Sequence, residues 1–244
     1  MNDTESKWQT EELASGYLQG VRGAIPAADL QLEVLGKIIK SWCPRPAAIL
    51  DLGCGDGVLG RFLLGLFPEA EVVFADFSQP MLDAARNKLA NRENASLVSA
   101  DFSTPAWIEA LGIGKMFDVV VSGFSIHHQT NERKRRLYKE IFGLLNRGGV
   151  FLNLEHVASA TPAGEELFHS FFVDSLTRFH QNIDPGKSRK EIDQAYYSRS
   201  DKAENILAPV YKQCAWLEQI GFVDADCFFK IFELALFGGR KPRA

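Results

Sequence analysis

The residues best placed to do chemistry are Ile49-Leu50-Asp51-Leu52-Gly53-Cys54-Gly55-Asp56-Gly57-Val58-Leu59-Gly60. An apolar run ends in a carboxylate, turns through Gly53, Gly55 and Gly57, and continues into a helical pattern. Glycines in such a turn take positive φ and let a ligand approach the backbone. The helix behind them offers unpaired N–H groups. In a dinucleotide enzyme those groups face a pyrophosphate. Here Asp51 and Asp56 bracket the loop, which disfavours a doubly anionic phosphate and suits a cationic ligand.

The sulfonium and amino groups of S-adenosylmethionine have that sign. Asp76 ends the second apolar run, about 20 residues beyond the loop, where a carboxylate can accept both hydroxyls of a ribose. Asp101-Phe102 follows the third run. Asp101 is placed to hold an adenine amino group, with Phe102 and Phe77 against the ring faces. Any one of these carboxylates can instead cap a helix, as Asp76 can before Ser78-Gln79-Pro80. Three of them at three successive strand ends point to a site.

Methyl transfer from a sulfonium needs in-line placement of the acceptor, plus a base when the acceptor carries a proton. His127 and His128 stand just past the fourth apolar run, and imidazole titrates near neutrality. One of them is a candidate base for a phenol, carboxylic acid or acidic carbon; the other reading of His127 is packing or capping of the helix near Asn131. Glu155-His156 follows the fifth run, so Glu155 is a third catalytic candidate, and His156 reads as structural. Tyr17, Tyr196 and Tyr197 are candidate lid contacts.

The elements that must position these residues alternate. Short apolar runs at 48–52, 72–75, 97–99, 117–122 and 150–154 are separated by helical patterns at 58–66, 80–91, 104–111 and 132–145. That order predicts an α/β, doubly wound and mostly parallel sheet covered on both faces. Asn146-Arg147-Gly148-Gly149 reads as a glycine helix stop and a turn into the fifth strand. A long helical section follows from Thr161 to Gly221, with Phe168, Phe171, Phe172 and Phe179 at helical spacing. Two strand-like runs, 222–229 and 231–237, leave so little room between them that they must be antiparallel.

A chain of 244 residues with net charge -4 fits one domain and lacks the basic balance expected for wrapping nucleic acid. The run Arg133-Lys134-Arg135-Arg136 reads as a solvated helix start. Four cysteines without metal-ligand spacing read as reduced thiols, which with the polar N-terminus predicts a cytoplasmic protein without signal peptide, membrane span or metal. The expected partner is a small-molecule substrate, and the expected assembly a monomer or homodimer.

The motif DLGCGDG, the acidic Asp76, Asp101 and the run FDVVVSGFSIHH resemble class I S-adenosylmethionine-dependent methyltransferases over most of the chain. The resemblance implies a Rossmann-like seven-stranded sheet with an antiparallel C-terminal hairpin and a helical cap. It also implies cofactor contacts from Tyr17, Arg22, Asp51, Gly53, Cys54, Gly55, Asp76, Phe77, Met81, Asp101 and Phe102, with Ser122, Gly123 and Phe124 beside the reactive methyl. The cap is assigned to 1–45 and about 157–212 of a single domain spanning 1–244.

Three further segments, VRGAIP, GEELF and WLEQIGF, are similar to carboxy-S-adenosylmethionine synthases of tRNA wobble-uridine modification, which use prephenate. In that likeness Arg22 and Arg199 become carboxylate clamps. Ala27-Ala28 stands where that branch has an aromatic, and Ser122-Gly123 where it has an Asn. Ordinary methyl transfer to a small molecule is therefore preferred, with the carboxy-cofactor synthase and a nicotinamide oxidoreductase as alternatives.

Overall fold

The computed structural model describes residues 22–90, 92–112, 114–199, 202 and 204–243, excepting the side chain of Arg22. A single 3-10 turn at Arg22–Ala24 precedes helix α1 (Ala28–Trp42). Then follow β1 (Ala48–Leu52), α2 (Val58–Leu66), β2 (Glu71–Asp76), α3 (Gln79–Leu89), β3 (Ala95–Ser99), α4 (Trp107–Ala110) and β4 (Phe117–Gly123). A second 3-10 turn, Ile126–His128, leads to α5 (Asn131–Leu144) and β5 (Leu145–His156). The chain continues through α6 (Pro162–Ile183), α7 (Arg189–Tyr197), α8 (Val210–Ile220), β6 (Val223–Ile231) and β7 (Leu234–Arg240).

The seven strands run in the order β3-β2-β1-β4-β5-β7-β6. All pairs are parallel except those made by β7, which is antiparallel to both β5 and β6. The doubly wound sheet and the closing hairpin are thus as expected. The strand order reverses between β1 and β4, so the crevice for a ligand lies at their carboxyl ends.

Alternation along the strands divides the core in two. Ile49, Phe74, Val119, Val121 and Leu152 face α1, α2 and α3. Leu50, Val73, Val120 and Phe151 face α4, α5 and α8. Helix α1 buries Leu35 and Ile39 in the first of these layers, so residues 28–42 cover the sheet and are no part of a cap. The cap that remains is α6 and α7 with the Arg22–Ala24 turn, sharing a small core of Ala24, Phe168, Phe172, Leu176 and Ile192. Ser175 Oγ donates to Ala24 O at 2.8 Å and fastens that turn to α6.

Other boundaries differ from expectation. The fifth strand begins at Leu145 and needs no separate turn. The irregularity at Asn146–Gly149 is absorbed by a register shift opposite Phe117–Val119, with Gly148 at φ 78°. The helix expected at 104–111 shrinks to Trp107–Ala110, anchored by Trp107. No described helix is long and apolar enough to cross a membrane.

Candidate active site

Glycine does what the loop after β1 requires. Gly53, Gly55 and Gly57 have φ of 65°, 54° and 80°, the left-handed region that costs other residues about 1–2 kcal/mol. A Cβ on Gly53 would stand 2.2 Å from Ser125 Oγ, whereas one on Gly55 would meet, among the described residues, only Met81 Sδ, at 3.9 Å. The crest of the loop is therefore open at Gly55 and closed at Gly53.

Asp76 fixes that crest. Its Oδ2 accepts the Gly55 N–H at 2.8 Å and its Oδ1 accepts the Ser78 N–H at 2.9 Å, so one carboxylate joins the loops after β1 and β2. Burial raises its pKa above the ordinary carboxylate value, against these hydrogen bonds. The Phe77 N–H is a third backbone donor to it, which leaves acceptor capacity on this carboxylate for a hydroxyl. Phe77 is half-buried beside it.

The two loop carboxylates behave differently from expectation. Asp51 is 1% exposed and its Oδ2 accepts the Gly60 N–H at 2.7 Å, so it braces α2 from inside. Asp56 pairs with Lys88, and with Arg61 at 3.9 Å. Its charge is spent within the protein, and the electrostatic case for a cation rests less on this loop than its composition suggested. Cys54 is buried, and burial lifts its thiol well above its usual range, so it is an inert packing group.

At the end of β3, Asp101 is exposed and accepts Ser103 N and Oγ, both at 2.8 Å. The Phe102 ring is 4% exposed, lies in the sheet core and abuts the glycine loop at Gly53. Ser122 Oγ donates to Leu52 O at 2.8 Å, tying β4 to β1 from within the core. A Cβ on Gly123 would press on Leu59 at 3.0 Å. Phe124 holds φ 50°, costly for an aromatic, while its N–H donates to Leu154 O at 2.8 Å and its ring packs on the cap core. Tyr17 lies outside the described residues, as does the Arg22 side chain.

The catalytic candidates converge. His127 Nδ1 lies 2.6 Å from Glu155 Oε1, with both side chains buried. Burial pushes the Glu155 pKa up, but His127, the His156 N–H and Lys134 outweigh it and hold the carboxyl below its ordinary value. An ionised Glu155 makes Nδ1 the protonated nitrogen and leaves the Nε2 lone pair as the basic end. The His128 ring lies 4.0 Å from that of His127, centre to centre. Among the described residues no group of three His, Cys, Asp or Glu is arranged to hold a metal.

Residues 50–151 match a family model described as a methyltransferase domain. The chain carries a methyltransferase domain. That match sets aside the nicotinamide alternative. The chain is 24% identical over 189 residues to malonyl-[acyl-carrier protein] O-methyltransferase of Priestia megaterium, covering 73% of this chain and 60% of that one. It thus spans less than two thirds of that relative's length. It is 28% identical over 204 residues to carboxy-S-adenosyl-L-methionine synthase of Helicobacter pylori, covering 81% of this chain and 75% of the relative. Human N-acetylserotonin methyltransferase, solved in complex with SAM, shares the fold with a TM-score of 0.62 at 14% identity, over 96% of this chain and 57% of that one.

The methyltransferase domain also holds groups that the sequence did not single out for this site. His156 Nε2 bonds Glu233 Oε2 at 2.8 Å, a second buried imidazole–carboxylate pair whose ring lies 5.8 Å from that of His127. Glu233 sits in the β6–β7 turn, and nothing local announces so distant a partner. Lys134 is 1% exposed, and Arg133 grips Glu140 through two nitrogens at 2.8 and 2.7 Å, so these two turn inward while Arg135 and Arg136 are the solvated part of the basic run. Lys134 shares a helical stripe with Leu137, Tyr138 and Ile141, a spacing that marks it as buried.

Proposed function

We propose that this domain transfers a methyl group from S-adenosylmethionine to a small molecule whose accepting atom carries an ionisable proton. The observation that carries it is the buried His127–Glu155 pair at the carboxyl edge of β4 and β5. The pair stands beside the strand-order reversal where ligands of such sheets lie.

The residues present fit the cofactor. The open crest at Gly55 would take the cofactor's approach to the backbone, Asp76 its ribose hydroxyls, and Asp101 its adenine amino group. The Ser122–Phe124 backbone would border the sulfonium. When bound, the cofactor supplies an electrophilic methyl group. His127 Nε2 takes the acceptor's proton, and the imidazolium so formed is held against ionised Glu155. A carboxylate already ionised at neutral pH needs no such help, which favours a phenol or an acidic carbon among the acceptors considered.

Calorimetry with S-adenosylhomocysteine, followed by methyl transfer to a panel of phenols and acidic carbon compounds, tests this reading. Binding together with turnover that is lost in His127→Asn is the expected result. Absence of binding at millimolar ligand would overturn it. A second reading, synthesis of a carboxylated cofactor, is favoured by the Helicobacter relatives that match most of the chain. Mass spectrometry of the ligand co-purifying with the protein separates the two, and a carboxylated cofactor would replace the first reading with the second.

A further inference from the structure

Lys134 closes a circuit around the proposed base. Its ammonium donates to Ile206 O, and the Ile206 N–H donates to His127 O at 2.9 Å. His127 Nδ1 bonds Glu155 Oε1, and Glu155 and Lys134 act on each other electrostatically through the interior. The segment after α7 is thereby strapped across the base. Ala158 N fastens it a second time, to Ala208 O at 3.1 Å, and Gln213 Nε2 a third, at 3.0 Å to the same carbonyl.

A neutral His127 is useful as a base only if Glu155 stays ionised beside it. Glu155 is 1% exposed, and among the described residues its Oε2 has no hydrogen-bond partner. An ionised carboxylate so placed needs a counter-charge, because burying an unpaired charge is far costlier than burying a dipole. His127 is the largest opposing influence on Glu155 and Lys134 adds to it, whereas the remaining titratable groups around it do not. His156 is held neutral by burial, Tyr138 is kept protonated by burial, and His128 packs on the His127 ring. Glu233 is anionic and engaged with His156.

We infer that Lys134 is a positioning residue for the His127–Glu155 pair: buried on α5, it ties the Ile206 strap onto His127 and adds a positive charge that favours ionised Glu155. The inference rests on the proposed methyl transfer only for its consequence to turnover. Its test is made on the free protein and needs no substrate.

In Lys134→Met, the His127–Glu155 pair, followed by NMR of labelled histidine, takes up its proton at a pH about one unit higher than in the parent. Lys134→Arg, which keeps the charge, restores the parent midpoint. An unchanged midpoint in folded Lys134→Met would overturn the inference and leave Lys134 a purely structural strut. A second measurement decides the matter where Lys134→Met does not fold. The Lys134 ammonium, lowered by burial to about 8 despite the opposing pull of Glu155, should titrate lower still in Glu155→Gln. A Lys134 midpoint indifferent to that change would equally overturn it. A protein that shows both shifts but transfers no methyl group would refute the proposed function and leave this inference standing.

Discussion

Glu155 Oε1 accepts two bonds at once, from His127 Nδ1 at 2.6 Å and from the His156 backbone N–H at 2.9 Å. The second bond fixes the carboxylate to β5, so the imidazole is aimed by the sheet and not by a mobile loop. Preorganisation of this kind is what a general base needs. His127→Asn should therefore lower kcat by about 10²–10⁴-fold, the usual range for losing a positioned base. Affinity for S-adenosylhomocysteine should stay unchanged. Glu155→Gln should cost less, because the amide still orients the ring but cannot stabilise an imidazolium. Steady-state kinetics with calorimetry checks both, and equal losses of affinity and kcat would point to collapse of the site instead.

The second pair governs stability in acid. Burial lowers the His156 pKa below 6.5, although Glu233 pulls the other way. Glu233 is itself held below 4.5, its bonds to His156 and Ser159 outweighing burial. Both folded-state values are depressed, so the stability they contribute is present above the unfolded values and is lost as pH falls. The unfolded His156 takes up its proton first, below about 6.5, before any carboxylate does. One proton bound only in the unfolded state gives a slope of ~1.4 kcal/mol per pH unit. Urea melts between pH 7 and 5 should show that slope, and His156→Gln should remove its share. A slope identical in the variant would mean that His156 is charged in the folded protein.

How much of this was legible in the sequence depends on range. The glycine loop, Asp76 and the sheet could be read because each is written in contiguous residues: an apolar run, a carboxylate, a turn, a helix. The direction of a side chain could not. Asp51 and Asp56 sit in the same loop and are equally buried, yet one turns to the Gly60 N–H of α2 and the other to Lys88 of α3. Only the packing of α2 and α3 decides that. The burial of the Phe102 ring, which fills the core beneath the loop, was hidden for the same reason. Glu233 reaches His156 from 77 positions away through the antiparallel return of β7, a contact set by topology. Lys134 was readable in principle, but its charge masked its place on the apolar stripe of α5.

Asp76 should couple stability to cofactor affinity. Asp76→Ala strands the Gly55 and Ser78 N–H groups, at about 1–3 kcal/mol for a buried group left unmade. It also removes the proposed ribose acceptor, so affinity for S-adenosylhomocysteine should fall at least ~10-fold, or ~1.4 kcal/mol. Because burial raises the Asp76 pKa, binding should weaken on acidification at a pH above 3.8, the ordinary value for such a carboxyl. Calorimetry from pH 7 to 4.5 would detect it. Affinity flat over that range would argue that the carboxylate serves the loop alone.

Two glycines of the same loop should fail in different ways. Gly53 and Gly55 share the left-handed backbone, at φ 65° and 54°, so alanine at either pays a similar conformational penalty, about 1–2 kcal/mol. Their surroundings differ. The Gly53→Ala methyl would lie 2.2 Å from Ser125 Oγ and 3.2 Å from the Phe102 ring, forcing apart the serine that helps join β4 to β1. That variant should be the less stable of the two, with cofactor affinity following its folded fraction. Among the described residues the Gly55→Ala methyl would find only Met81 Sδ, at 3.9 Å, and would stand where the cofactor is proposed to approach. Gly55→Ala should therefore melt nearer to the parent and yet bind S-adenosylhomocysteine far more weakly. Thermal melts and calorimetry on the pair give the comparison. Normal binding by Gly55→Ala would place the cofactor away from this crest.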